Sequence, residues 1–588
     1  MSTRLDQVDV VLVGFGWTGA ILGQELATAG LRVRALERGP DRDTYPDFAY
    51  TQIHDELRYG VRYGLMQNLS RDTLTIRHKP GDTAVPYRRL GSFLLGTGVG
   101  GSGVHWNGQT WRFLPTNLTM RSSTIARYGK DAIPAGMQLQ DWGVSYDELE
   151  PYYDRFEYLC GTSGQAGNIG GTIQPGGNKF EGPRSRGYPT PPMKTHYAGK
   201  LFADAARELG YNPFPQPSSN LSQPYKNPLG VQLGACAYCG YCERFACEMY
   251  AKSSPQTTIL PVLRQNPNFS LHVGATVTRV NTTGDGKHAT GVTYVDDAGQ
   301  EFEQPAEIVI LCSYVFSNVR LMLLSGIGKR YDPATGKGGV GRNYAYQIES
   351  RLDVRLGDKA MNPFMGAGAL GMMVDEFNGD NFDHTGLGFI GGGFIGALST
   401  GVRPIENHPT PDGTPKWGAK FKQAVKEFYP HHMYILNYGG VMGYRDSYLD
   451  LDPTYRDVHG LPLLRMTFDW HDNERKMIRH NTEKALGIAK AMGATALRTT
   501  INDKHYNIAP YQTTHNVGGA PMGTDPTESA LNTYLQSWDV PNVFVMGAAA
   551  FPNNAGYNPT DTVGALAYRA ADAIRTRYMQ SPGPLVPV

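Results

Sequence analysis

The sequence has no apolar run near the 18 to 20 residues that a membrane-crossing helix needs. It has no charge excess either: 55 basic residues stand against 54 acidic ones, a formal net charge of +1. That balance gives no field suited to nucleic acid and no acidic tail. Internal repeats and low-complexity tracts are missing. The N-terminus, "MSTRLDQVDVVLVGFG", passes straight into a strand pattern and lacks the basic start, apolar stretch and cleavage site of a secretory signal. The chain is then expected to be either cytoplasmic or exported by another subunit, and read alone the sequence favours the first. Cysteine is scarce, six in 588 residues, which excludes a small disulfide-stapled fold, and the length implies two or more domains. Glycine is abundant, at 71 residues, so much of the backbone must turn tightly or approach something closely.

The first forty residues carry a specific pattern. "VDVVLV" (8–13) is a continuous Val-rich run, as expected of a parallel strand buried on both faces. "GFGWTG" follows and opens a helical pattern that ends at Gly30, and "LRVRALERG" is a second strand. Gly14, Gly16 and Gly19 spell G-x-G-x-x-G at the strand-to-helix turn. Their expected roles are the tight turn, backbone approach to a pyrophosphate, and close helix–strand packing. Glu37 ends the second strand, 23 residues after Gly14, where an acid would hold a ribose hydroxyl. The motif implies a bound dinucleotide without separating NAD from FAD.

Further along, residues 41–90 read as surface loops with short helices, and a glycine-rich tract runs from Gly91 to Gly108. Residues 160–235 read as long loops, and 269–312 as strands joined by turns at "GDGK" and "DAGQ". The stretch 346–509 is β-rich with a long helix from about Asp472 to Met492. From Tyr511 the chain is glycine-rich again, with a strand at "NVFVMG" (542–547) and a closing helix from about Thr560 to Arg577.

Four of the six cysteines fall in "CAYCGYCERFAC" (236–247): Cys236, Cys239, Cys242 and Cys247, spaced C-x2-C-x2-C-x4-C. Structural zinc usually draws on two separated pairs, and disulfides this close in sequence would close strained loops. Closely spaced thiolates in one run are the pattern of iron–sulfur ligation, and the spacing permits [4Fe-4S] as well as smaller clusters. Cys160 and Cys312 are lone, and Cys312 at the end of an apolar strand reads as an inert core thiol.

Three further stretches carry a resemblance: "GTGVGGSGVHWNGQTWRF" (96–113), "LCSYVFSNVRLMLLSGIG" (311–328), and "THNVGGAPMGTDP" (514–526) with "GYNPTDTVGALAYRAADAI" (556–574). They are similar, in the same order, to motifs of the glucose–methanol–choline oxidoreductases. The cysteine run, "YRRLGSFLLGTGVGGSGVHWNG" and "YLDLDPTYRD" resemble the large flavoprotein subunits of bacterial membrane-bound sugar-acid dehydrogenases acting on gluconate or 2-ketogluconate. The resemblance implies FAD, and a Rossmann-type α/β FAD-binding domain assembled from 1–120, 225–345 and 510–588. It implies a long loop or insertion region at 121–224 and an antiparallel-sheet substrate domain at 346–509.

His515 matches the family's catalytic histidine, and an imidazole titrating near neutrality could take the hydroxyl proton without a large pKa perturbation. Asn558 matches the second active-site position, where its amide would hold the substrate hydroxyl toward the base. His105 matches a histidine that binds the flavin covalently in some members, as against one that only packs on the ring. Gly100, Gly101, Asn107 and Val277 are implied as further cofactor-binding positions. The related dehydrogenases imply a [3Fe-4S] centre, here through Cys236, Cys242 and Cys247 with Cys239 left open. They also imply a small subunit carrying an export signal, a multi-haem cytochrome c subunit, electron delivery to quinone, and the periplasmic face of the inner membrane. An arginine or lysine of the substrate domain is expected to pair with the substrate carboxylate. The alternatives are a 2-ketogluconate dehydrogenase or other sugar or polyol dehydrogenase of the same type, and a soluble FAD-dependent sugar oxidase that returns electrons to oxygen.

Overall fold

A computed structural model of the chain describes residues 2–48, 63–88, 93–399, 407–509 and 513–587. Gly91 and Tyr511, the expected starts of the two glycine-rich tracts, lie outside these residues. Val10, Val11 and Leu12 have no exposed surface, because their strand Val8–Val13 is central. It pairs in parallel with Val33–Glu37 on one side and with Glu301–Leu311 on the other. Phe269–Val273 extends the parallel set beyond Val33–Glu37, and Val543–Val545 joins Glu301–Leu311 in parallel. Ala289–Val295 and Thr276–Thr282 then continue antiparallel from Glu301–Leu311. A continuous apolar run is what a strand covered on both faces requires.

A second sheet is wholly antiparallel, in the order Thr495–Ile501, Gln347–Arg355, His432–Gly440, Ile395–Leu398, Gly371–Val374 and Phe214–Pro215. The long expected helix forms as Asp472–Ala491 and packs with helix Tyr197–Glu208 over a core that includes Leu352, Val354, Ile435, Ala485 and Ile488. A smaller sheet joins Tyr448–Arg456 and Pro462–Thr467 to Thr75–Arg77 and Val85–Pro86. The mixed α/β architecture, with a mostly parallel sheet beside an antiparallel one, is the fold class expected from the sequence.

The stretch 121–224 departs from the expectation of loops. It holds helices Tyr146–Cys160 and Tyr197–Glu208, and its Phe214–Pro215 adds an edge strand to the antiparallel sheet. Helix Tyr146–Cys160 opens on a reciprocal cap: Glu148 N–H donates to Ser145 Oγ at 3.2 Å, and Ser145 N–H donates to Glu148 Oε2 at 2.8 Å. Pro151 inside the helix removes one backbone donor, which masks the helical signal in the sequence. Burial of Leu149, Tyr153 and Phe156 outweighs that loss. Phe156 packs directly on Gly564 of the closing helix Thr560–Ala573, where any larger residue would meet its ring.

A buried charge cluster ties helix Tyr146–Cys160 to two loop arginines. Glu157 receives Arg112 Nε at 3.0 Å and Nη2 at 2.8 Å, together with both Nη atoms of Arg184, one of them at 3.1 Å. Tyr153 and Thr562 share a hydroxyl–hydroxyl bond of 2.9 Å, which fixes the first turn of the closing helix. Asp561 lies beside the cluster with both carboxyl oxygens buried and without a hydrogen-bond partner. Burial, and then the Glu157 charge, push its pKa well above the usual carboxylate range, so it is held neutral. Glu157→Ala should therefore cost about 3–5 kcal/mol, because it removes the carboxylate that two buried guanidinium groups share. Asp561→Asn should leave the thermal midpoint nearly unchanged. Thermal unfolding of the two variants side by side checks this.

Candidate active site

One cavity runs from the first glycine motif to His515 and Asn558. At its nucleotide end Gly14 has φ +89°, and a Cβ there would lie 2.8 Å from Ser313 Cα, so this turn admits only glycine. A Cβ on Gly19 would lie 2.5 Å from the Gly14 carbonyl oxygen. Gly16 differs: a Cβ there would meet nothing closer than the Gly100 oxygen at 3.9 Å, and the residue lines the cavity. That opening is the space a pyrophosphate would take against the helix N-terminus. Glu37 lines the same end and accepts three backbone N–H groups, from Phe15 at 3.0 Å, Gly39 at 2.9 Å and Gly98 at 3.3 Å. Its carboxylate therefore binds loops together as well as facing the cavity.

The other expected cofactor positions divide. Gly101, His105, Asn107 and Val277 line the cavity. Gly100 is not among the lining residues; its N–H donates to Phe15 O at 2.7 Å and its free side packs on the Gln256 amide. It shapes the tract without facing the cavity. His105 is 4% exposed, and its Nε2 is buried with no hydrogen-bond partner. Burial, followed by the charges of Lys252 and Arg244, holds the imidazole neutral, with its pKa pushed down to about 3. An orphaned ring nitrogen at the cavity wall and an open Gly16 are what a bound flavin dinucleotide would fill. Cys312 also faces the cavity, with its thiol pushed up to about 12 by burial.

At the other end His515 and Asn558 meet, with Asn558 Nδ2 lying 2.9 Å from His515 Nε2. Nδ1 of His515 contacts the Gln347 amide oxygen, and Thr513 Oγ1 lies 3.1 Å away. The Gln347 amide is oriented by its own Nε2, which donates to the carbonyls of Tyr557 at 3.3 Å and Ala555 at 3.4 Å. Nδ1 therefore carries the proton and Nε2 carries the lone pair. Asn554 Nδ2 donates to the His515 carbonyl at 3.1 Å, and the Tyr438 ring stands edge-on at 5.9 Å. The Asn558 Oδ1 is buried with no partner. The sequence suggested a base titrating near neutrality. Instead, burial pushes His515 down to about 3.

The four clustered thiols lie in one loop beside the His105 tract. Cys242 Sγ contacts Asn220 Oδ1 at 3.1 Å, Cys239 is exposed, and the thiols are within electrostatic reach of each other. Burial pushes the Cys236 thiol up to about 12 and that of Cys242 higher still. Among the described residues no three Cys, His, Asp or Glu side chains converge as a metal-holding group. The donor set, four thiols in a dozen residues, suits iron–sulfur ligation in its chemistry; their present spacing is that of neighbours. Lys252, 1% exposed, pins this loop, its ammonium donating to the carbonyls of Phe245 at 2.6 Å, Trp106 at 2.7 Å and Cys242 at 2.8 Å. Gln347 and Lys252 are the residues sequence reading missed, because each acts through contacts remote in the chain.

The contrast between Gly16 and Gly19 can be tested directly. Gly16→Val should fold with an unchanged thermal midpoint and purify without flavin, since its side chain enters only cavity space. Gly19→Val, which collides with the Gly14 carbonyl, should fail to accumulate as folded protein. Flavin absorbance and circular dichroism of both variants decide it.

The comparisons with known proteins agree with this geometry. GMC oxidoreductase regions match residues 138–349 and 444–567. The chain is 53% identical to the gluconate 2-dehydrogenase flavoprotein of Pantoea cypripedii, an alignment covering 100% of this chain and 96% of that protein. It is 28% identical to 2-methyl-1,2-propanediol dehydrogenase of Mycolicibacterium austroafricanum, over 98% of this chain and 97% of that one. Among solved structures, pyridoxine 4-oxidase from Mesorbium loti superposes with a TM-score of 0.60 at 16% identity, covering 96% of this chain and 98% of its own. No described helix is long and apolar enough to cross a membrane. A glycine cradle open at Gly16, an oriented histidine–asparagine pair in the same cavity, and full-length similarity together place the chain in the GMC oxidoreductase family of flavin-dependent enzymes.

Proposed function

We propose that this chain is the flavoprotein subunit of a sugar-acid dehydrogenase that oxidises the C2 hydroxyl of gluconate to give 2-ketogluconate. The observation that carries the chemistry is the His515–Asn558 pair, held by Gln347, in the cavity that also contains the dinucleotide cradle. Full-length identity of 53% to a gluconate 2-dehydrogenase flavoprotein supports the substrate. When bound, FAD supplies the acceptor for the hydride that leaves the substrate carbon. The glycines at 14, 16 and 19, Glu37, Gly101, Asn107 and Val277 would hold it, and His105, whose orphaned Nε2 lies at the cavity wall, would be the side chain to carry a covalent link.

The substrate hydroxyl replaces Asn558 as the donor to His515 Nε2, while the amide of Asn558 turns to the substrate oxygen. An imidazole held this far below neutrality is a weak base, so it does not deprotonate a resting alcohol. The proton reaches Nε2 as the carbonyl forms and the carbon-bound hydrogen departs. Gln347 accepts from Nδ1–H throughout and keeps the lone pair on the substrate side.

The cysteine loop would hold an iron–sulfur cluster, [3Fe-4S] through Cys236, Cys242 and Cys247 in our reading, with Cys239 as a candidate fourth ligand. Such a cluster supplies a one-electron centre between a two-electron flavin and a one-electron cytochrome. The wider assembly would be a small export-carrying subunit and a membrane-bound multi-haem cytochrome c that feeds quinone at the periplasmic face. What supports this part is the sequence resemblance and the four neighbouring thiols.

Because the base is active when deprotonated and its pKa lies near 3, kcat/KM for gluconate should show no acid limb around pH 6.5 and should fall only below about pH 4. The same withheld proton makes the fold lose stability as pH drops from about 6.5 toward 3, where the unfolded histidine is charged and the folded one is not. Gln347→Leu should lower kcat by about 10- to 100-fold, a part of what general-base catalysis contributes, with KM little changed; His515→Ala should abolish turnover. Anaerobically purified protein should contain about three irons and about four acid-labile sulfides per chain; iron-free, fully active protein would remove the cluster from this reading. Peroxide formation in air, with no gain from a dye or cytochrome acceptor, would mark an oxidase instead.

A further inference from the structure

Tyr314 opens helix Tyr314–Ser325 with φ at +74°. Left-handed backbone is unfavourable for a bulky side chain; it persists only where the surroundings impose it, and it clusters at functional sites. Here the dinucleotide cradle imposes it from one side. The Cα of Ser313, the residue before, lies where a Cβ on Gly14 would collide, and the Ser313 N–H donates to Asn318 Oδ1 at 2.9 Å. Asn318, which has no exposed surface, donates to the Met546 carbonyl at 2.9 Å. The turn that carries Tyr314 is therefore clamped against the first glycine motif.

From that clamp the phenol reaches the segment that carries His515. The Tyr314 hydroxyl donates to the Thr514 carbonyl at 2.6 Å and accepts from Asn516 Nδ2 at 2.9 Å, so it bridges the residues on either side of the histidine. Asn516 Oδ1 accepts from the Tyr344 hydroxyl at 2.6 Å. The direction of this chain of bonds is set. Burial pushes both phenols far up, so each keeps its proton and donates it, Tyr344 to the amide oxygen and Tyr314 to the carbonyl. Residues 513–516 belong to no helix or strand, so side chains decide where they lie. Tyr314, Thr514, His515 and Asn516 all line the cavity that holds the cradle.

We infer that Tyr314 is a positioning residue that sets His515 in register with the dinucleotide site, an inference that rests on reading His515 as the proton acceptor. Hydride departure needs the substrate carbon, its acceptor and the base in one narrow geometry, and a misplacement of about 1 Å can cost about 100-fold. Tyr314 ties the main chain around the base to the turn that fixes the cradle, so the two keep a constant separation. The same bonds keep the segment closed over the imidazole. The groups packed on that ring are Gln347, Thr513, Asn558 and the Tyr438 phenol, all uncharged, and burial alone withholds its proton. A segment released from Tyr314 would admit water and return the imidazole toward its ordinary basicity.

Tyr314→Phe keeps the ring and removes only the hydroxyl. As purified holoenzyme with a dye acceptor, it should keep its flavin and its KM for gluconate and lose about 10- to 100-fold in kcat. The acid limb of kcat/KM should rise from near pH 4 toward about pH 6.5. A second readout needs no substrate. The wild type loses stability as pH falls from about 6.5 because its folded His515 refuses a proton; the variant accepts one more readily, so its thermal midpoint should fall less over that interval. Tyr344→Phe, which acts through Asn516, should shift both profiles the same way by less, and should add little to Tyr314→Phe in the double variant. It decides the matter if Tyr314→Phe does not accumulate. Unchanged kcat and acid limb overturn the inference, and so does a loss of kcat without either pH shift, which would mark a packing defect. A wild type inactive on gluconate sinks the proposed function, while the midpoint comparison still decides the part played by Tyr314.

Discussion

The ammonium group of Lys252 holds together the parts of this molecule that carry its chemistry. Among the described residues no carboxylate pairs with it, and it spends its three donors on carbonyls from the His105 tract and from Cys242 and Phe245 of the cysteine loop. A buried cation is tolerated only where its hydrogen bonds are fully made, so the three carbonyls have little freedom to move apart. The cavity-lining tract that carries His105 and the cysteine loop are therefore one rigid unit, although 146 residues separate Trp106 from Lys252.

The second unit is the antiparallel sheet. Gln347 begins the strand that runs to Arg355, and its side chain reaches His515, which lies 168 residues further along the chain. The closing helix then fixes the opposite partner: Asn558 lies two residues before it, and the Tyr153–Thr562 bond holds its first turn. Histidine and asparagine thus arrive from the same C-terminal segment but are oriented by two different layers. Positioning of this kind, through side chains locked by packing and further hydrogen bonds, keeps a reacting group within the narrow tolerance that proton transfer needs.

How much of this was legible in the sequence follows from range. The cradle could be read because Gly14, Gly16, Gly19 and Glu37 lie within 24 residues and their roles are set by local backbone. The thiol run could be read as a donor set, but its spacing says nothing of the left-handed Arg244 inside it, at φ +67°. Helix Tyr146–Cys160 announced itself with Ser145 and Glu148 at capping-box spacing, yet Pro151 and the loop-rich composition around it pointed the other way. Gln347 and Lys252 leave no local signal at all, since a lone glutamine or lysine gains its meaning only from what packs against it. The depressed basicity of His515 belongs to the same class, because burial is a property of the fold and not of the motif.

The carboxylate of Glu37 has one more implication. Three amides from separate turns converge on it, so the walls of that recess are cast by bonds internal to the chain. A guest entering such a mould surrenders its own freedom but asks little ordering of the host. Capture of the prosthetic group is then closer to a key finding its lock than to a chain folding around a template.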